Sequence, residues 1–191
     1  MRRLALLFIV MSLPMGAARA DDASTTPFYV GAGIGHVSVD RGSVALGGAN
    51  GGYINGTGTA VSVLGGYYFT DNFGVELGYH GYGKPTAYLQ SGAILTRCGT
   101  GFSCPQVSGV SAMLLGKMEL VPQVDGIVRF GILEWNVGSP GSTLIDKTSG
   151  SAFIYGVGLR RRFDYGFNVD ITYERSNFTT EETRIGISYS F

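Results

Sequence analysis

The sequence predicts an all-β protein, an eight-stranded antiparallel up-and-down transmembrane β-barrel. Three observations carry that expectation. The C-terminal segment puts Ile185, Ile187, Tyr189 and Phe191 on one face and Gly186, Ser188 and Ser190 on the other, and it stops on the phenylalanine. The N-terminal segment has the build of an export signal. Between the two lie period-two segments, with no apolar run of the ~20 residues a spanning helix needs. Inside lipid every backbone N–H and C=O must be paired, so strands can cross only as a closed barrel.

The chain opens on the basic run Met1-Arg2-Arg3, continues into an apolar stretch over residues 4–13, and reaches the small-residue site Ala18-Arg19-Ala20. This order predicts a signal peptide over residues 1–20, cleaved after Ala20, and one barrel domain over 21–191. Cleavage takes Arg2, Arg3 and Arg19 from the 14 basic residues and leaves the 14 acidic ones, a net charge of −3. A nucleic-acid partner is therefore not expected. The 31 glycines and the 12% aromatic content suit close-packed strands with aromatic girdles better than a compact soluble core.

Eight alternating segments of spanning length follow, each long enough for a tilted crossing of about 9–11 residues. The first, over 28–39, sets Phe28, Val30, Ala32 and Ile34 against Tyr29, Gly31, Gly33 and Gly35. The second covers 59–69, with Val61, Val63, Tyr67 and Phe69 apolar, and a turn at Thr70-Asp71-Asn72 follows. The third, over 73–82, points Phe73, Val75, Leu77 and Tyr79 outward and Gly74, Glu76, Gly78 and His80 inward. The fourth covers 108–121 and turns at Pro122-Gln123-Val124-Asp125. The fifth, over 126–137, opposes Arg129 to Val128, Phe130 and Ile132; its parity blurs at Glu134 and Trp135, where a bulge is expected. The sixth covers 151–163, and Asp164-Tyr165-Gly166 turns into the seventh over 167–175. The eighth runs from near Glu182 to Phe191.

Long links at 40–58, 83–107 and 138–150 alternate with short turns, the layout of an outer-membrane barrel with short periplasmic turns and longer outer loops. The first long link is rich in Gly, Asn and Ser and reads as mobile. A soluble eight-stranded barrel shares the strand count but gives no reason for that asymmetry.

Parity sends Glu76, Lys117, Glu119, Arg129, Arg160, Asp170 and Glu174 inward, with Arg162 on the same side as Arg160. Buried charges persist when paired, and an eight-stranded barrel is just wide enough for its own side chains. A packed lumen salt-bridge network is therefore expected, with Glu76 paired to at least one of Lys117, Arg129 or Arg160. Arg161 falls on the lipid side, near enough to the periplasmic end to snorkel. Cys98 and Cys104 flank a Gly-rich turn and are expected to form a disulfide in an oxidising compartment.

The run Leu64-Gly65-Gly66-Tyr67-Tyr68-Phe69-Thr70-Asp71-Asn72-Phe73-Gly74-Val75-Glu76-Leu77-Gly78-Tyr79 resembles the second hairpin of the OmpA-type transmembrane domain. Residues 28–35 resemble that family's opening strand and 185–191 its closing one. The resemblance implies an eight-stranded barrel whose inward acid, at Glu76, meets partners from other strands, with Lys117 and Arg160 suggested. The peptidoglycan-binding domain of OmpA itself is not expected here, because the sequence ends with the barrel, so anchoring to the cell wall is not implied.

The expected role is that of a non-enzymatic outer-membrane protein, structural or acting at the cell surface through its loops. It would be a monomer, without cofactor or metal, in contact with outer-membrane lipids and lipopolysaccharide. The face Ile185, Ile187, Tyr189, Phe191 would serve as the signal to the barrel assembly machinery. Two alternatives remain: a small-solute pore, and a barrel enzyme acting on lipid A. The enzyme needs a nucleophile and a base, and the only histidines are His36, of outward parity, and His80, of inward parity.

Overall fold

The computed structural model describes residues 27–44, 52–84, 87–91, 94–97, 106–138, 148–177 and 180–191. Its strands are β1 (Phe28–Val44), β2 (Gly52–Tyr68), β3 (Phe73–Gly81), β4 (Ala87–Ser91), β5 (Ile94–Arg97), β6 (Gln106–Val121), β7 (Val124–Gly138), β8 (Thr148–Arg162), β9 (Phe167–Ser176) and β10 (Thr180–Ser190). Eight of them, all antiparallel, close a ring: β1 pairs with β2 on one side and with β10 on the other, from Tyr29↔Ser190 to Val39↔Thr180. Closure leaves no free edge within the ring of eight. The hairpin β4–β5 stands outside the ring and docks on the far end of β2 through Gly52↔Leu89.

The short turns are tight. At one of them Gln123 adopts φ 68°, and at another Tyr165 (φ 63°) and Gly166 (φ 79°) follow each other in the left-handed region. The first long link is mostly strand rather than a mobile loop: β1 and β2 continue past the expected ends and stay paired through Asp40↔Asn55 and Arg41↔Ile54. The second carries β4 and β5, while Cys98 and Cys104 lie outside the described residues, as do residues 1–26.

The outer surface is apolar where lipid would touch it. Ile34, Ile185, Ile171 and Leu159 form one continuous row across four strands in direct register, and all four are exposed on the outside of the ring. Aromatic rings gather toward the periplasmic end of this belt: Phe28 on Tyr67 (4.6 Å between centroids), Phe167 on Tyr189 (5.1 Å) and Tyr189 on Phe191 (5.3 Å). Arg161 also points outward and lies over the Phe163 ring at 5.1 Å, covering an aromatic while its charge stays at the rim.

No bulge interrupts β7 at Glu134. The register to β8 runs unbroken from Leu133↔Ala152 to Val137↔Thr148, with Glu134 exposed and Trp135 buried. What changes there is the sense of the pattern. Below this level the strands are apolar outside and polar inside. Above it they reverse: His36, Thr59, Glu134, Ser151 and Thr183 face out, while Val37, Val39, Val107, Leu133, Trp135, Val137 and Ile154 pack together inside. At this level apolar side chains of β1, β6, β7 and β8 line the inside, while Ser176, Thr180 and Glu182 of β9 and β10 keep the adjoining wall polar.

Candidate functional site: the barrel lumen

Below the apolar cluster the lumen is filled by ionic side chains from six strands. Glu76 on β3 lies under Gly66 of β2, a register pair whose missing side chain leaves room for the Tyr29 ring. The Tyr29 hydroxyl donates to Glu76 Oε2, and Arg129 Nε of β7 donates to Oε1 at 3.2 Å. Arg129 also reaches Glu174 (3.8 Å) and Asp170 (4.0 Å) on β9, so one guanidinium faces three carboxylates. Arg184 of β10 donates to Glu174 Oε1 at 2.8 Å and to Ser62 Oγ at 3.2 Å. A Cβ at Gly33 would stand 2.5 Å from Arg184 Cδ, so glycine at that position seats the long side chain.

The structure brings Glu76, Arg129 and Asp170 together in the buried interior. Arg160 is buried beside them, but its Nη1 donates to the Tyr68 hydroxyl (3.0 Å) and its guanidinium lies 5.0 Å from the Tyr29 ring centre. Lys117 sits nearer the periplasmic mouth, half-buried, with Nζ 4.5 Å above the Tyr68 ring. Glu119, expected inside, is exposed at the mouth and pairs there with Arg162, which also reaches Asp125 at 3.4 Å. The side chains of Ile185, Ile187, Tyr189 and Phe191 all face outward.

Three buried ionic residues escaped the sequence reading: Asp125, assigned there to a turn, and, deeper in the lumen, Arg184 and Glu182, at 1% and 2% exposure. Arg184 and Glu182 share the parity of Gly186, and that parity was the signal that could have found them. Tyr29, read only as an inward position, and Tyr68, given no facing, supply hydroxyls to Glu76 and Arg160 respectively.

Above Arg184, His80 Nε2 lies 2.9 Å from Ser111 Oγ, and Nδ1 lies 3.6 Å from Glu182 Oε2. The imidazole stacks on Tyr82 at 5.7 Å between centroids. A hydroxyl, an imidazole and a carboxylate in this order form the set that activates a serine in hydrolases. Here Ser111 and His80 are 1% and 0% exposed and point into a packed lumen. A Cβ at Gly78 would stand 2.8 Å from Ser111 Oγ and 2.9 Å from His80 Nε2, so even the wall beside them is close-packed.

Comparison with known proteins adds a family and a fold. The family model described as outer membrane protein beta-barrel domain matches residues 4–191. No curated protein sequence matches the chain. Among solved structures, Neisserial surface protein A aligns at 12% identity with a TM-score of 0.63, covering 86% of this chain and 97% of that one. The outer membrane protein OprG from Pseudomonas aeruginosa aligns at 13% identity and a TM-score of 0.62, over 87% and 97% of the two chains. The N-terminal barrel of OprF from the same organism gives 13% identity and a TM-score of 0.54, over 87% and 98%. At these identities the likeness is one of fold.

Proposed function

We propose, for a chain that belongs to the outer membrane protein β-barrel domain family and resides in the outer membrane, a non-enzymatic role at the cell surface. The rigid barrel would display its outer strands and loops to partners. The observation that carries this reading is the pairing of a filled lumen with a wall that rises past the lipid belt. Ionic side chains occupy the interior, the apolar cluster around Leu133 and Trp135 sits above them, and β1 and β2 continue outward as a paired hairpin. Function on such scaffolds concentrates in the displayed segments. The filled, narrow bore weighs against a small-solute pore. The proposal includes removal of residues 1–20, a monomer in contact with lipopolysaccharide, and use of the closing-strand face by the assembly machinery.

The Ser111–His80–Glu182 arrangement favours one second reading, a lipid A-modifying hydrolase. Its enclosure argues against that, because an acyl chain in the outer leaflet would have to pass the barrel wall to reach Ser111. A deletion strain compared with its parent separates the two. The surface reading expects altered adherence to host-matrix components with an unchanged lipid A profile by mass spectrometry. It also expects no labelling of Ser111 in folded protein by a fluorophosphonate. A lipid A species lost on deletion and restored by the wild-type chain but not by Ser111→Ala would replace the surface reading with the enzymatic one.

A Cys98–Cys104 bond is part of the same proposal, as a tie within the second outer loop. Its loop is short, so its contribution to stability is at most a few kcal/mol. Intact-mass measurement after alkylation without reductant should show neither thiol modified; two alkylated cysteines in folded, exported protein would remove the bond from the account.

A further inference from the structure

We propose that His80, Glu174 and Glu182 form a buried binding site for a late first-row divalent cation of the zinc class. The three residues come from β3, β9 and β10, and each is at most 2% exposed. Their ligand atoms all lie within 4.8 Å of one another. Imidazole with two carboxylates is a donor set such ions accept, whereas calcium and magnesium prefer all-oxygen shells.

Three further observations point to a cation. Glu174 and Glu182 are direct register partners on the inner face, where like charges side by side are unfavourable unless something positive lies between them. Arg184 meets part of that need, at 2.8 Å from Glu174 and 3.9 Å from Glu182. It leaves Glu174 Oε2, both oxygens of Glu182 and His80 Nδ1 buried without a hydrogen-bond partner. Leaving aside the Asp125–Arg162 pair at the mouth, four buried carboxylates (Glu76, Asp170, Glu174, Glu182) face three buried guanidiniums (Arg129, Arg160, Arg184) among the described residues, so one negative charge is in excess among them.

The geometry of His80 matches a ligand better than a hydrogen-bond donor. When Nε2–H donates to Ser111 Oγ, Nδ1 presents its lone pair toward Glu182 Oε2. A second-shell bond of this kind usually orients a metal-bound histidine. The 3.6 Å between Nδ1 and Oε2 is long for a hydrogen bond. Two bonds of about 2.1 Å to a tetrahedral ion would separate the same atoms by about 3.4 Å. The unpartnered hydroxyls of Ser176 and Thr180 lie beside Tyr82 and the two carboxylates, further oxygen donors next to the site.

The test uses untagged full-length barrel in detergent, stripped with chelator and titrated with Co²⁺ as a spectroscopic probe. Visible ligand-field bands should saturate at one cobalt per chain and be displaced by zinc but not by calcium or magnesium. His80→Gln should abolish the bands, while His36→Gln, which changes the other histidine, should leave them intact. Ser111→Ala should weaken binding about tenfold through loss of the orienting bond. Each variant is first shown to be folded by its shifted mobility in unheated gels. A wild-type barrel without bands overturns the proposal, as does a folded His80→Gln barrel that binds cobalt as tightly as wild type.

Discussion

Replacing Arg129 with Met is expected to cost about 3–5 kcal/mol of barrel stability, the range for removing one partner from a buried ionic cluster. The side chain is 2% exposed and stands 3.2 Å from Glu76, 3.8 Å from Glu174 and 4.0 Å from Asp170. Its loss strands carboxylates that water cannot reach. Of these Glu76 suffers most, because among the described residues the Tyr29 hydroxyl is the hydrogen-bond donor that remains to it. Glu76→Gln alone should cost less, since Arg129 keeps Glu174 and Asp170 as partners. The double variant should be more stable than the sum of the single effects predicts, with a coupling above about 1 kcal/mol. Urea unfolding in detergent micelles, followed by gel mobility and by the fluorescence of the single tryptophan, Trp135, measures all four corners of the cycle. Additive effects would mean that Glu76 and Arg129 do not hold each other, and the account of the lumen would need rebuilding around Arg184.

The sequence showed which residues face inward but not which of them meet. Parity alone places Glu76 inside, because Phe73, Val75, Leu77 and Tyr79 cannot share the lumen with it. Partner choice depends on the stagger between strands, and that is set by closure of the whole ring. Glu76 is level with Met113 on β6. Lys117 lies four residues further on, about 13 Å along the strand at 3.3 Å per residue, and so falls at the mouth. Arg129 pairs across β6 with Leu115, close to the level of Glu76, and reaches it from two strands away. Glu119 shares the inward parity of Lys117 but lies two residues beyond it, where the lumen has ended.

The misreading at Glu134 and Trp135 has a different origin. A single rule, apolar outward, was applied along the whole strand, yet the solvent outside the barrel changes partway up. Where lipid gives way to water the apolar residues move to the inside. Leu133, Trp135 and Val137 then look out of phase, although the backbone never breaks register. Val37 and Val39, inside the first segment read over 28–39, likewise sit on the inner face, out of phase with the apolar face counted from Val30 and Ile34.

Placing a charge on the belt tests this change of solvent directly, and Ile171→Arg is the sharpest case. Ile171 lies midway along β9 between Val169 and Tyr173, and in register with Ile185 and Leu159 on its neighbours. It points away from the lumen and is 56% exposed. If water surrounded the barrel, arginine at such an exposed position would change stability by no more than about 0.5 kcal/mol. In a bilayer the guanidinium must be drawn into hydrocarbon or snorkel past two rows of side chains, at about 2–4 kcal/mol near the midplane. Thr183→Arg supplies the comparison. Thr183 faces outward from β10 in register with His36 and Tyr173, about 7 Å further along the strand toward the outer end than Ile185, where the cost should be smaller. Unfolding of both variants from phospholipid vesicles therefore reads depth as a difference in free energy. A larger penalty at Ile171 than at Thr183 fits the reversal of pattern seen along β7. Equal penalties would place both positions in one solvent and remove the lipid boundary from between them.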